Sequence, residues 1–209
     1  MRDNHLHTYF SYDSDADFRD YLEHYDGEIV TTEHLDLSNP YPYDAGSPHD
    51  DIPDYESYSR KIAALNRKYG NRIKKGIEIG YYRPRKKDIL AFLENKDYDL
   101  KLLSVHHNGK FDYLEKPVLQ FDKMKFIPTY LKEMEEAIES IPAHVLAHFD
   151  YGFRKFNVTV EELKNFEPQL RTLFQKMIDY SLAFELNCKS MYLYDHEDIY
   201  IYALSLVKE

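Results

Sequence analysis

The chain holds a single cysteine, Cys188, among its 209 residues and no tryptophan. One thiol excludes an intramolecular disulfide and fits a reducing compartment, so a cytoplasmic protein is expected. No run of eighteen apolar residues occurs, which leaves no candidate membrane span. The N-terminus turns polar at residue 2 and lacks the apolar stretch of a secretory signal. Basic residues are outnumbered 27 to 37, for a formal net charge of −10. That balance speaks against a nucleic-acid partner, because such proteins normally present a basic face. Bound divalent ions would neutralise part of the acidic excess. Neither a short repeat, a low-complexity tract nor a linker divides the chain. With 43% hydrophobic and 31% charged residues it reads as one soluble globular domain spanning 1–209, long enough for a sizeable core.

Short apolar runs alternate with longer amphipathic stretches. Strands are predicted over 2–7, 27–34, 72–80, 98–106, 143–148 and 182–188, from their Ile, Val, Leu and Phe content. Helices are predicted near 15–25, 54–69, 84–95, 128–140, 159–180 and 195–208. The fifth begins with a capping box, Thr159 with Glu162 three residues later, and Pro168 should kink it near its middle. Asp195 is the expected N-cap of the sixth. Strand–helix repetition of this kind implies a parallel sheet covered by helices. Six units suit a β/α barrel, with an open doubly wound sheet as the rival.

The polar residues fall in a pattern on that frame. His5 and His7 stand two apart on the first strand, so both side chains point to one face. The second strand ends in Glu33 and His34, the third in Glu78, the fourth in His106 and His107, and the fifth in His148 and Asp150. Five successive strands thus deliver His or Glu at their C-terminal ends, the edge where parallel β/α folds keep their active sites. Nitrogen and oxygen donors without cysteine suit Zn, Mn or Fe, with Glu78 as the natural bridging carboxylate. His24 and His49 belong to no motif and read as surface residues. The long segment 35–56, rich in Pro, Tyr and Asp, reads as a substrate lid or a mobile loop.

The motifs "DNHLHT" (3–8), "TEH" (32–34), "GIEIGY" (76–81), "SVHH" (104–107) and "AHFD" (147–150) together resemble the PHP (polymerase and histidinol phosphatase) domain family, in its histidinol-phosphatase type. They follow the family's order over about 150 residues. The resemblance implies a distorted, TIM-like β/α barrel of seven strands with up to three metal ions. It places His5, His7 and Glu78 on the first ion, Glu78, His106 and His148 on the second, and Asp13 and His34 on the third. His107 follows the family position without a role of its own. Asp3 is expected to orient a histidine rather than to bind metal. The family's closing D-x-H motif, on a seventh strand, has no counterpart here. Asp195 and His196 are adjacent and follow the sixth strand. The chain is therefore expected to carry six of seven units, C-terminally incomplete, with a gap between its first and sixth strands.

The chemistry implied is phosphomonoester hydrolysis. Metal ions bring the pKa of bound water toward ~7 and neutralise phosphate oxygens. Asp15, Asp17 or a metal-bound water would supply a proton to the leaving alkoxide. Arg154 resembles the family's phosphate-contacting arginine. The expected activity is histidinol phosphatase, converting L-histidinol phosphate and water to L-histidinol and phosphate in histidine biosynthesis. The acidic and aromatic residues of 35–56 would suit that cationic imidazole-amine. The alternatives are a phosphatase for phosphotyrosine or a nucleotide, or a catalytically impaired metal-binding remnant. Oligomeric state is left open.

Overall fold

A computed structural model describes residues 3–43 and 46–207. The side chain of Asp3, and with it the expected orienting role, lies outside the described residues, as do residues 2, 44–45 and 208 of the predicted segments.

Six parallel strands form the scaffold: β1 (Asp3–Leu6), β2 (Ile29–Asn39), β4 (Ile73–Gly80), β5 (Leu100–Ser104), β6 (Val145–Leu146) and β7 (Ala183–Phe184). They pair in the order β1-β2-β4-β5-β6-β7, and a short β3 (His49–Asp51) runs antiparallel to β2. β1 and β7 are the two ends of this path. No strand pairing joins them among the described residues, yet a side chain of β1 meets one just past β7, so the sheet curls into an incomplete barrel. Helices α2 (Tyr55–Tyr69), α3 (Lys86–Leu93), α4 (Lys123–Ser140), α6 (Glu167–Asp179) and α8 (Glu197–Val207) connect and cover the strands. Between sheet and helices lies one apolar core, in which strand residues Leu35, Ile77 and Leu103 pack with Tyr58, Leu131 and Phe174 of the helices. No helix among the described residues is long and apolar enough to cross a membrane.

Several element boundaries depart from the sequence-based expectation. β2 runs on to Asn39 because Leu35 and Leu37 turn into the core and β3 covers its far end. The 35–56 segment is therefore strand at 35–39 and 49–51 and enters α2 at Tyr55, rather than being one long loop. Pro168 does not kink a single helix. The chain forms α5 (Val160–Leu163) behind the Thr159/Glu162 capping box, then a 3₁₀ turn, and Pro168 sits in the first turn of α6. A missing N–H costs nothing there, since first-turn N–H groups have no helical partner. α4 starts at Lys123, capped by Asp122, and carries Pro128 inside it. Asp195 does not cap α8. It adopts a left-handed conformation, φ 56°, and His196 directly precedes the helix. Ahead of it a short α7 (Cys188–Leu193) is capped by Asn187.

Candidate metal centre

Register between β2 and β4 builds the floor of the site. His34 pairs with Glu78 and Asp36 with Gly80. On a strand, residues two apart share a face, so His34 and Asp36 look the same way. A Cβ on Gly80 would lie 1.7 Å from Asp36 Oδ1. The second glycine of "GIEIGY" thus leaves the space that the Asp36 carboxylate fills. Gly80→Ala should displace Asp36, destabilise the fold by ~1–3 kcal/mol through overpacking and lower the metal content. A denaturant midpoint and a metal:protein ratio both equal to wild type would rule this out.

Glu78 is fully buried, and five imidazoles surround it. Its Oε1 lies 3.0 Å from His106 Nε2 and 2.7 Å from His148 Nε2. Its Oε2 lies 2.9 Å from His5 Nε2, 3.4 Å from His7 Nε2 and 3.5 Å from His34 Nδ1. His5 is in β1, His34 in β2, and His106 and His148 each stand two residues beyond β5 and β6. Asp13 Oδ2 approaches His34 Nε2 at 3.5 Å. All seven residues expected as ligands are gathered here. Their ligand atoms fall into three groups, each within 4.8 Å: His5–Glu78–His148, His34–Glu78–His106 and His7–Asp13–His34.

This grouping differs from the expected one. β1 ends at Leu6, so His7 leaves the strand and need not follow His5. Its ring stacks on His34 at 4.3 Å and joins the Asp13 group, while His148 takes its place beside His5.

The electrostatics are those of a site built for cations. Burial favours a neutral Glu78, but the charges of His5, His34 and His106 outweigh it and hold the carboxyl well below its ordinary range. Burial likewise works against charge on His5 and His34. The Glu78 carboxylate, with Glu185 for His5 and Asp13 and Asp36 for His34, nevertheless raises both to about 10. His7 is pushed down to about 3 by burial and by the charge of His34. His148 is lowered as well, chiefly by burial. The Nδ1 atoms of His7 and His148 are buried without a hydrogen-bond partner. Five imidazoles crowded on one carboxylate, His7 and His148 among them with orphaned nitrogens, form a donor set that divalent ions would satisfy.

Two carboxylates in this neighbourhood escaped sequence reasoning. Asp36 backs His106, with Oδ1 2.9 Å from Nδ1, and lies 3.0 Å from His34 Nδ1. Its i+2 spacing from His34 was the available signal. Glu185, one residue past β7, lies 2.5 Å from His5 Nδ1. It occupies a strand-end position like those of the candidate ligands.

Asp15, Asp17 and Arg154 belong to none of the three ligand groups, although Arg154 lies over the Tyr151 ring that packs on His106 and His148. Asp17 caps α1 (Phe18–Leu22) and pairs with Arg19 at 2.9 Å, and helix capping explains its spacing. Asp15 is exposed and belongs to none of the three ligand groups. Arg154 is buried and turned onto Asp150, with Nε and Nη2 each donating at 3.3 Å. Glu33 is no ligand either: it accepts from Thr8 N–H, Thr8 Oγ1 and Ser11 Oγ, pinning the turn after β1. His107 is buried against Tyr82 and accepts from Gly109 N–H, a packed histidine. His24 and His49 are exposed.

No family model matches the chain. In sequence it is similar to a probable histidinol-phosphatase of Clostridium acetobutylicum, 24% identical over 201 residues, which cover 90% of this chain and 73% of that protein. In structure it is similar to the histidinol phosphate phosphatase of Lactococcus lactis subsp. lactis, crystallised with Zn, L-histidinol and phosphate. The TM-score is 0.85 at 23% identity, covering 99% of this chain and 80% of that one. The chain therefore has the α/β fold of a histidinol phosphate phosphatase, and its cluster of imidazoles stands at the C-terminal ends of that fold's strands.

Proposed function

We propose that this protein is a metal-dependent phosphomonoesterase whose substrate is L-histidinol phosphate. The observation that carries the reading is the convergence of His5, His7, Asp13, His34, Glu78, His106 and His148 at one end of the sheet. The similar Lactococcus lactis enzyme, bound to Zn, L-histidinol and phosphate, supports it. The three ligand groups would hold up to three ions of Zn, Mn or Fe, with Glu78 shared between two. Such ions supply a nucleophile at neutral pH and offset charge on the phosphoryl oxygens.

The chain's own side chains do the rest. Asp36 fixes the His106 ring from behind, and Glu33 holds the turn that carries the site's rim. At that rim Tyr12 and Tyr41 face each other with ring centroids 5.9 Å apart, Tyr12 also lying 5.0 Å from the His34 ring. Both are partly exposed and, with the half-exposed Asp13, offer π faces and negative charge to a cationic imidazole-amine.

Turnover of L-histidinol phosphate and of p-nitrophenyl phosphate, each with added Mn²⁺, tests the reading. We expect a kcat/KM for histidinol phosphate at least ~10²-fold higher, a modest share of the 10⁴–10⁸ M⁻¹s⁻¹ range open to enzymes. Equal rates would indicate a phosphatase of other substrates. Metal binding without turnover would indicate an impaired remnant.

A further inference from the structure

The open edge of the sheet lies beside the metal-ligand cluster, and one carboxylate spans it. β1 and β7 have no strand pairing among the described residues, and 180 residues separate His5 from Glu185. Glu185 nevertheless reaches His5: its Oε1 lies 2.5 Å from Nδ1. Its Oε2 accepts the backbone N–H of His148 at 2.6 Å and the Asn187 side-chain amide at 3.3 Å. Both residues are nearly shut off from solvent, with side-chain exposures of 14% for His5 and 12% for Glu185. On the opposite side of the same imidazole, Nε2 faces Glu78 at 2.9 Å.

We propose that Glu185 is the positioning residue of the site, holding His5 so that Nε2 is the donor offered to metal. This rests on the metal-centre reading above. The imidazole has two nitrogens, and the one that ligates is set by the hydrogen bond the other makes. A carboxylate on Nδ1 requires Nδ1 to carry the proton, which leaves Nε2 to the ligand group of Glu78 and His148. Glu185 is not itself placed as a ligand. It stands behind the ring, and its two oxygens are taken by Nδ1–H and by the His148 N–H. That second bond makes the device serve two ligands: it fixes the backbone that presents His148 in the same group. The contrast within the cluster is direct. His5 and His106 have a carboxylate on the rear nitrogen, whereas Nδ1 of His148 has no hydrogen-bond partner. For His148, the hold on its backbone takes the place of a hold on its ring.

The experiment uses the full chain and its E185Q and E185A variants. Zn²⁺ affinity is measured by competition with a chromogenic chelator, and the histidine ring nitrogens of the Zn-loaded proteins are observed by ¹⁵N NMR. Loss of such a partner typically weakens metal binding 10–100-fold, so E185A should lose about that factor in one class of Zn sites and leave the others near wild type. In E185Q the amide oxygen can still accept from Nδ1–H, so affinity should fall by no more than about tenfold and the His5 signal should keep its Nε2-ligated pattern. Wild-type affinity in both variants would overturn the assignment. So would an equal loss at every Zn site, since a merely structural residue would act on all three groups together. If E185A does not fold, E185M takes its place, since it keeps the side chain's bulk but cannot accept from Nδ1–H: wild-type Zn²⁺ affinity and unchanged His5 ring signals in E185M reject the role. A wild-type chain that binds no Zn²⁺ would overturn the metal-centre reading first and this role with it.

Discussion

Replacing Glu78 by alanine is expected to empty two of the three metal groups and to abolish phosphatase turnover. Glu78 shares its carboxylate between two of the three ligand groups, so one substitution strips a donor from both. Metal stabilisation of phosphoryl transfer is worth several kcal/mol, which corresponds to a loss of ~10³-fold or more in kcat/KM. His7→Ala, which touches one group only, should cost less. Glu78→Gln separates charge from volume and should resemble Glu78→Ala in metal content. Metal analysis together with turnover on L-histidinol phosphate provides the check. Wild-type turnover in Glu78→Ala would remove this residue from the site.

The same carboxylate dictates how metal binding depends on pH. In the metal-free protein Glu78 helps hold His5 and His34 protonated up to about 10. These pairs contribute stability that is complete below the ordinary histidine value of 6.5 and is lost as pH rises through about 10. A ligating ion must displace those protons. Apparent affinity should therefore rise with pH across the neutral range, by about tenfold per unit for each proton displaced. Flat affinity between pH 6 and 8 would mean that His5 and His34 are not displaced from their protonated state.

What sequence reading could and could not reach follows from the physics of strands. Period-two geometry and the strand-end rule need only local sequence, and they brought His5, His34, Glu78, His106 and His148 to one edge. His7 reaches the same Glu78 oxygen as His5, at 3.4 Å, but from beyond the end of the four-residue strand, where alternation no longer sets its direction. Long-range partnerships were invisible for a different reason. Nothing near residue 185 in sequence tells that His5 is its partner, and nothing near Asp36 points to His106, 70 residues away. Helix breaks were misjudged where one residue type serves two ends. Pro168 stops one helix and starts the next, and only packing decides which. Arg154 illustrates the hardest case. Its position just past a strand suits a phosphate ligand, and the carboxylate four residues earlier is a second partner that the same sequence offers.

That carboxylate carries the second large effect, and Asp150→Ala should cost ~3–5 kcal/mol, the range for breaking a buried ion pair. Asp150 is fully buried and accepts from four groups at once: Arg154, Ser190 Oγ at 2.9 Å, Tyr200 OH at 2.8 Å and His196 Nδ1 at 2.8 Å. It thereby anchors α7 and α8 to the loop that presents His148. Removing it leaves a buried guanidinium without its counter-charge and three further donors unmatched. For a domain with a total stability of ~5–15 kcal/mol, that is a large fraction. Asp150→Asn keeps two lone pairs for the hydroxyl donors and should cost less. Burial opposes the charge on Asp150, but His196 and Arg154 prevail and hold its pKa well below the ordinary 3.8. A depressed carboxylate contributes stability above its unfolded value, so the wild-type advantage over Asp150→Asn should be full above pH 3.8 and be lost progressively as pH falls from there through the lower folded value. Urea midpoints at a series of pH values would show this. Arg154→Lys gives the complementary arm. If Arg154 is held by Asp150 as the geometry places it, the variant loses stability while KM for histidinol phosphate stays near wild type. An unchanged urea midpoint with a raised KM would instead put this arginine on the phosphate.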